Sequence, residues 1–556
     1  MLRASAVRLA LLLLVAMGVI GLAMPPSIPR WYLFHQDVFL LTIGIVGLAG
    51  LSLIPAGGRE PVLPDYAVFA AIAAAAVIAY VGAGLLLEHY PLSRDEELAD
   101  LATNYFGHGR LGQAIPAALA PIARPMMPLW ADGWMDRGWW VSPYLPVNSA
   151  LRAAAAWLGD RWLAGPILLA TGAGALWASA RRLWPDMPQA ATVAVVLALT
   201  SSQVLVMAMS AYAMTAQFAL SALWLWQFVR GGRLGHGTAM LIGFAAVGLH
   251  ELQFHLIFAS GFVLWLYRTG QWRVAMAYGA ALACSLLAWK IGYGHLLSGV
   301  MGIPTEPVVL AQSLPGWTVS IVRRLREWQP INSLVRFVAW QNVLLLPLAA
   351  FGARPRRDGR GRPTIFWAMR FSCAFGLVTM VYQAHGYGYR YLHHLLPCFC
   401  LLAAEGWVRW NDQHPEAPLR ASILGGSVAI AIGLTMPLCF WMSHAFVRPY
   451  AAVYRLAKSA PADIVLVDAR NAAFVQDIVR IDDRLSRPLL LDLAEVDGDQ
   501  LVTMCRHQRV MVLDASQTRA LGVLPPLGRE EPAFAFTSRR ALLAKLHCGR
   551  PVPLPR

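Results

Sequence analysis

Asp95, Glu96, Glu97 and Asp100 place four carboxylates within six residues, in a chain of which only 14% is charged. Asp95 and Glu96 follow an apolar run, where a carboxylate can meet both a lipid-borne molecule and water. Either could take a proton from a hydroxyl as a general base. The same residues also suit a helix start: Ser93 can act as N-cap, Glu96 holds the capping-box position, and acids favour the first turn. Both readings stand at this stage. Glu97 lies on another helical face and should tolerate Gln.

The stretch YGYRYLHHLLP, from Tyr387 to Pro397, is a second concentration of reactive groups. On a helix beginning at Arg390, residues Arg390, His393 and His394 share one face, with Tyr387, Tyr389 and Tyr391 nearby. A guanidinium among imidazole and phenol groups suits a phosphate. The competing account is an interfacial aromatic belt with one snorkelling arginine. A third cluster is HELQFH. His250 and His255 are five residues apart and so diverge by about 140° on a helix, which excludes the zinc-protease pattern. Glu251 and His255, at i and i+4, share a face and could orient a sugar, bind a metal or pair with each other. His250, Glu251 and His255 are therefore substrate-binding candidates, and a divalent metal is neither required nor excluded.

These residues must be positioned by membrane helices. The chain has 556 residues, 57% of them hydrophobic, and a mean hydropathy of +0.51. The formal charge of +15 could suggest nucleic acid, but Lys290, Lys458 and Lys545 are the only lysines, and the arginines cluster between apolar runs. That distribution speaks of membrane orientation instead, and no nucleic-acid partner is expected. About thirteen apolar runs are recognisable, several shorter than the ~20 residues of a full span. The first, Leu9 to Met24, is expected to be a retained helix rather than a cleaved signal. The short pair flanking HELQ is expected to form one re-entrant or broken element.

With the N-terminus cytoplasmic, the inner short loops carry 16 arginines and the outer ones only Arg30 and Arg390, as the positive-inside rule requires. Residues 1–442 then form a transmembrane module with outer loops at about 88–161 and 292–333. Residues 443–556 form a soluble outer domain. There, DIVLVD, PLLLD and RVMVLD are strand-like runs followed by amphipathic segments, as in a small α/β domain. No Gly-rich loop follows them, so a nucleotide site is not expected. Cys505 and Cys548 could pair or stay free in this oxidising setting; the other five cysteines lie in apolar segments and pack as thiols.

In order and sidedness, the acidic RDEELADLATNYFGHGRL after an outward span, the short outer-facing helix pairs and the late YGYRYLHHLLP resemble the GT-C superfamily of membrane glycosyltransferases, particularly members using polyprenyl-phosphate sugars. Here the acidic loop follows the third span rather than the first, which implies two extra spans or another subfamily. The resemblance implies an all-α polytopic membrane protein with a C-terminal soluble α/β domain, in a bacterial inner membrane. It also implies Asp95 as catalytic carboxylate, Glu96 as a supporting acid and Arg390 as donor-phosphate ligand, with Tyr389, Tyr391, His393 and His394 around it. The partners would be a polyprenyl-phosphate-linked sugar, a lipid, glycan or protein acceptor, and the bilayer. A transporter or flippase of lipid-linked sugars and a cell-envelope assembly protein are the alternatives.

The arginine asymmetry makes a direct prediction. A cysteine placed at Gly138 should react with an impermeant maleimide from outside, whereas one at Gly359 should react only once the inner face is exposed.

Overall fold

The computed structural model describes residues 15, 19, 28–55, 58–127, 134–303, 329–355, 363–380, 383, 386–482, 484–527 and 534–554. Among the described residues, five helices are long and apolar enough to cross a membrane: Ile28–Leu51, Asp65–Leu85, Arg161–Leu183, Trp272–Met301 and Ala421–Lys458. Pro188–Leu199 and Ser202–Met209 together make a sixth candidate, bent by 55°. Shorter apolar helices, including Met214–Arg230, Gln253–Arg268, Ile365–Val378 and Leu396–Gln413, fill the bundle. The chain is a multi-pass membrane protein. The expected run Leu9 to Met24 falls almost wholly outside the described residues.

The helix boundaries follow local chemistry. Asp65–Leu85 is rich in alanine and opens just after Pro64, which is extended; alanine has the highest helix propensity, and the extended proline ends what precedes it. The bent pair breaks at Thr200 and Ser201, where the Ser201 hydroxyl accepts from the Val204 N–H at 3.2 Å and restarts the helix. With no hydrophobic drive between helices inside lipid, close packing must come from small residues. Gly352 and Gly406 show this: a Cβ on the first would strike the Leu402 carbonyl oxygen, and one on the second the Leu348 carbonyl oxygen.

Two expectations need correction, while the short pair flanking HELQ is the two helices Gly232–Val247 and Gln253–Arg268 joined by a turn containing His250 and Glu251, and Pro188–Met209 is a further broken element. The second outer loop does not begin at 292, because Trp272–Met301 runs through that point as one helix with a π-helical turn at Ala288–Gly292. The last helix does not stop at Met442 but continues to Lys458.

Beyond Lys458, Ile464–Val467, Leu489–Asp492 and Val510–Leu513 are strands formed by the three apolar runs. With Arg550–Pro551 they make a four-stranded parallel sheet in which Leu489–Asp492 is one edge and Ile464–Val467 lies beside it, followed by Val510–Leu513 and Arg550–Pro551. Apolar residues fill consecutive strand positions because both faces are covered. A disulfide joins Cys505 to Cys548. Gly406→Val should lower the unfolding temperature in detergent, since overpacking costs about 1–3 kcal/mol; an unchanged temperature would show that the helices separate without penalty.

Candidate active site

The site is built around the first turn of the helix Arg94–Gly107. Ser93 caps it with a full capping box: its Oγ accepts from the Glu96 N–H at 3.4 Å, and Glu96 Oε2 accepts from Ser93 N–H at 3.4 Å. Glu96 does more than cap. Its Oε2 also accepts from Leu92 N–H at 3.1 Å, and its Oε1 accepts from Ala211 N–H at 3.2 Å, across to the segment that follows the bent helix pair. Burial pushes the Glu96 carboxyl up to about 7, against the pull of these backbone donors. Glu96 is thus spent on the chain's own amides and sets the helix start in place.

Asp95 is free of that duty and points the other way. Its Oδ2 accepts from Arg390 Nη2 at 2.6 Å, and its Oδ1 accepts from the Tyr144 hydroxyl. Burial acts to raise the Asp95 carboxyl, but the Arg390 guanidinium, with lesser help from His250 and Tyr144, outweighs it and holds the group below its ordinary value. His250 packs against Tyr144 with ring centroids 4.2 Å apart and tilted by 37°, and is kept toward the neutral imidazole by burial.

Arg390 is placed by a tight loop. Gly388 has φ +54, and a Cβ there would crowd Gln203 and Trp340; glycine allows the turn. The Arg390 N–H donates to Gln383 Oε1 at 2.8 Å, and the guanidinium lies 4.5 Å over the Tyr212 ring and 4.7 Å over the Tyr391 ring. The Tyr391 hydroxyl also accepts from Arg390 Nη2 at 3.0 Å. Two aromatic faces and a carboxylate therefore fix a buried cation.

The structure brings together Asp95, Arg390, Tyr391 and His250 from the sequence-derived set. The expected Arg390, His393 and His394 face is formed only in part, because Arg390–Leu395 is a 3-10 helix in which i and i+3 eclipse while His394 falls about 120° away from Arg390. His393 turns back, with Nδ1 3.1 Å from the Arg390 carbonyl oxygen, and His394 packs against Phe254. Tyr389 packs edge-on to Tyr391. Glu251 and His255 do not share a helix face either, since the helix starts only at Gln253. Glu251 accepts from Gln253 Nε2, and His255 sits inside the bundle against Trp224 and Phe258. Glu97 is not solvated: it is buried and accepts from Arg94 at 2.6 Å. Among the described residues no group of three His, Cys, Asp or Glu side chains is arranged to hold a metal. Sequence reasoning missed Tyr144, Tyr212 and the Ala211 amide. Only their places in outer-facing segments pointed toward them.

A 730 Å³ apolar crevice lies elsewhere, among Ile78, Val196, Leu205 and Ile432, and takes in none of these polar residues. What the polar cluster can do is hold an anion at Arg390 beside a carboxylate able to accept a proton.

The raised Glu96 carboxyl gives a signed prediction. The folded state holds its proton where the unfolded state has lost it, so stability should fall as pH rises from the ordinary glutamate range to about 7. Glu96→Gln should flatten that slope relative to the parent protein when thermal unfolding is followed against pH.

No protein-family model matches the chain, and no curated protein matches it. Among solved structures, ArnT from Cupriavidus metallidurans in the apo state is similar, with a TM-score of 0.50, 13% identity, and coverage of 81% of this chain and 93% of that one. ArnT from the same organism bound to undecaprenyl phosphate gives 0.48 at 12% identity, covering 88% of this chain and 90% of that one. The likeness to the apo structure extends over most of both chains, and this chain shares its overall fold.

Proposed function

We propose that this protein is an inverting membrane glycosyltransferase that moves a sugar from a polyprenyl-phosphate donor to an acceptor outside the bacterial inner membrane. Its N-terminus is cytoplasmic, and its C-terminal domain lies on the outer side. The observation that carries this reading is the buried pair of Asp95 and Arg390, 2.6 Å apart. The contributing segments around Asp95, Ala211, His250 and Arg390 all fall on the outer side in the alternation set by the arginine count.

Arg390 would take the donor phosphate, whose charge grows as the glycosidic C–O bond breaks. Asp95 would take the proton of the acceptor hydroxyl while that oxygen forms its bond to the anomeric carbon from the opposite face. One base and a direct displacement invert the centre, and the leaving group is the polyprenyl phosphate. The resting ion pair gives this order a physical logic. Phosphate competes with Asp95 for the guanidinium, and once that pairing is lost, burial acts to raise the carboxyl and improve it as a base. Tyr144 still holds it in place. The acceptor, whether lipid, glycan or protein, is defined here only by its hydroxyl.

Asp95→Asn should retain donor binding yet lose about 10²- to 10⁴-fold in transfer per folded molecule. A fully active Asp95→Asn overturns the mechanism. With Arg390→Ala, donor binding should weaken, and the acidic limb of kcat/KM should move to higher pH, because burial then acts on Asp95 without its main opponent.

A further inference from the structure

The helix that carries Asp95 is held from behind. Residues Arg94, Glu97, Leu98, Leu101 and Tyr105 form its far face, at helical spacing, and that face meets the C-terminal domain. Leu98, Leu101 and Tyr105 share a core with Ile464, Leu466, Ile481, Leu489 and Leu491. The polar contacts are reciprocal. Arg94 Nη2 donates to the carbonyl oxygens of Gln476 at 3.0 Å and Val479 at 3.1 Å, while its Nη1 donates to Glu97 at 2.6 Å. In return, Arg480 Nη1 donates to the Pro91 carbonyl at 2.9 Å, and Nη2 donates to the Tyr90 hydroxyl at 3.1 Å and to the Asp477 carbonyl. Arg480 Nε donates to that same carbonyl at 2.9 Å, and its guanidinium lies 4.6 Å over the Tyr90 ring.

Two buried arginines, one from each side, thus bond backbone carbonyls of the other side, and the bonds across the seam fall at Tyr90, Pro91 and Arg94, around Asp95. Backbone carbonyls in a buried seam cannot move without losing charge-assisted hydrogen bonds. Arg480 spends its Nε and both terminal nitrogens on the chain itself, so it is a staple rather than a ligand site. Resting on the glycosyl-transfer reading, we infer that the C-terminal domain is a positioning element for Asp95, acting through Arg480 and Arg94 on the first turn of the catalytic helix. The domain need not touch either substrate to govern the rate. Misplacing a reacting group by about 1 Å is worth on the order of 10²-fold in rate.

The test is a mutant cycle on the full-length protein, with transfer and donor binding measured separately. Arg480→Ala should lower kcat by about 10- to 100-fold with donor affinity nearly unchanged, and Arg480→Lys should restore it only in part, because an ammonium cannot reproduce the fork. In an Asp95→Asn background, Arg480→Ala should cost little more, since residues acting as a unit are not additive. An equal loss in both backgrounds overturns the inference, as does a loss confined to donor binding. Hydrogen exchange supplies a readout independent of activity: Arg480→Ala should speed exchange at residues 92–98 while leaving the amides of Ile464–Val467 protected, and unaltered exchange at 92–98 also overturns it. Should Arg480→Ala fail to fold, Tyr90→Phe removes one acceptor of the staple and should show the same pattern with a smaller effect. If the parent protein transfers no sugar from any polyprenyl-phosphate donor, the functional reading fails, while the exchange experiment still decides the positioning claim.

Discussion

A guanidinium taken out of water needs an opposing charge and a full set of acceptors, and this constraint organises the end of the molecule that holds the site. Arg390 meets it with Asp95, the Tyr391 hydroxyl and two aromatic faces. Asp95 lies 295 residues earlier in the chain. The pair therefore forms only when the bundle has closed and the loop through Gly386 and Gly388 has turned the arginine inward. The bent helix pair ending at Met209 contributes by delivering the Ala211 amide to Glu96, one residue from the pair. Breaking either partner of such a pair leaves a buried charge uncompensated, at a cost of about 3–5 kcal/mol. The ion pair is thus a fold determinant as well as the centre of the proposed chemistry.

The four clustered acids now separate by what each faces. Asp95 faces the arginine, and Glu96 faces backbone amides. Glu97 faces Arg94 and, behind it, the C-terminal domain. Asp100 takes Arg152 at 3.4 Å and Arg161 at 3.1 Å. A helix turns 100° per residue, so consecutive acids must point to different neighbours, and a helix enclosed by the bundle on one side and a domain on the other offers a cation or donor in each direction. Capping and chemistry, which compete as explanations for the cluster as a whole, are divided on the proposed mechanism between Glu96, which makes the capping box, and Asp95.

Legibility in the sequence followed the range of the interactions involved. The capping box at Ser93 and Glu96, the apolar helices and the strand runs ending at Asp468, Asp492 and Asp514 rest on neighbours within a few residues, and the sequence carries them. Two misreadings at the site share a cause: each assumed an α-helix where tertiary packing imposed something else. Arg390–Leu395 winds as a 3-10 helix beneath a glycine turn, which separates His394 from Arg390. HELQ lies in a turn, so Glu251 and His255 part company while His250 reaches the site. Nothing local to Glu97 reveals that Arg94 and residues 476–480 will enclose it. Tyr144 and Tyr212 carry no pattern of their own, and their roles exist only once distant segments meet.

That long-range dependence bears on how such a site can work. On the proposed mechanism, a base held by an arginine at rest is protected from protonation but is also weakened, since the same attraction that keeps Asp95 ionised lowers its appetite for a proton. Stabilising the resting pair more strongly would make the base worse, and removing the partner would leave both charges to the cost of burial. A substrate that brings its own phosphate resolves the conflict, because it replaces the carboxylate on Arg390 without leaving the cation uncompensated. The differential interaction then belongs to the bound and reacting states rather than to the empty site, which is the condition for binding energy to lower a barrier. An acceptor alone offers no anion for Arg390, so the base would be released only when the donor is present.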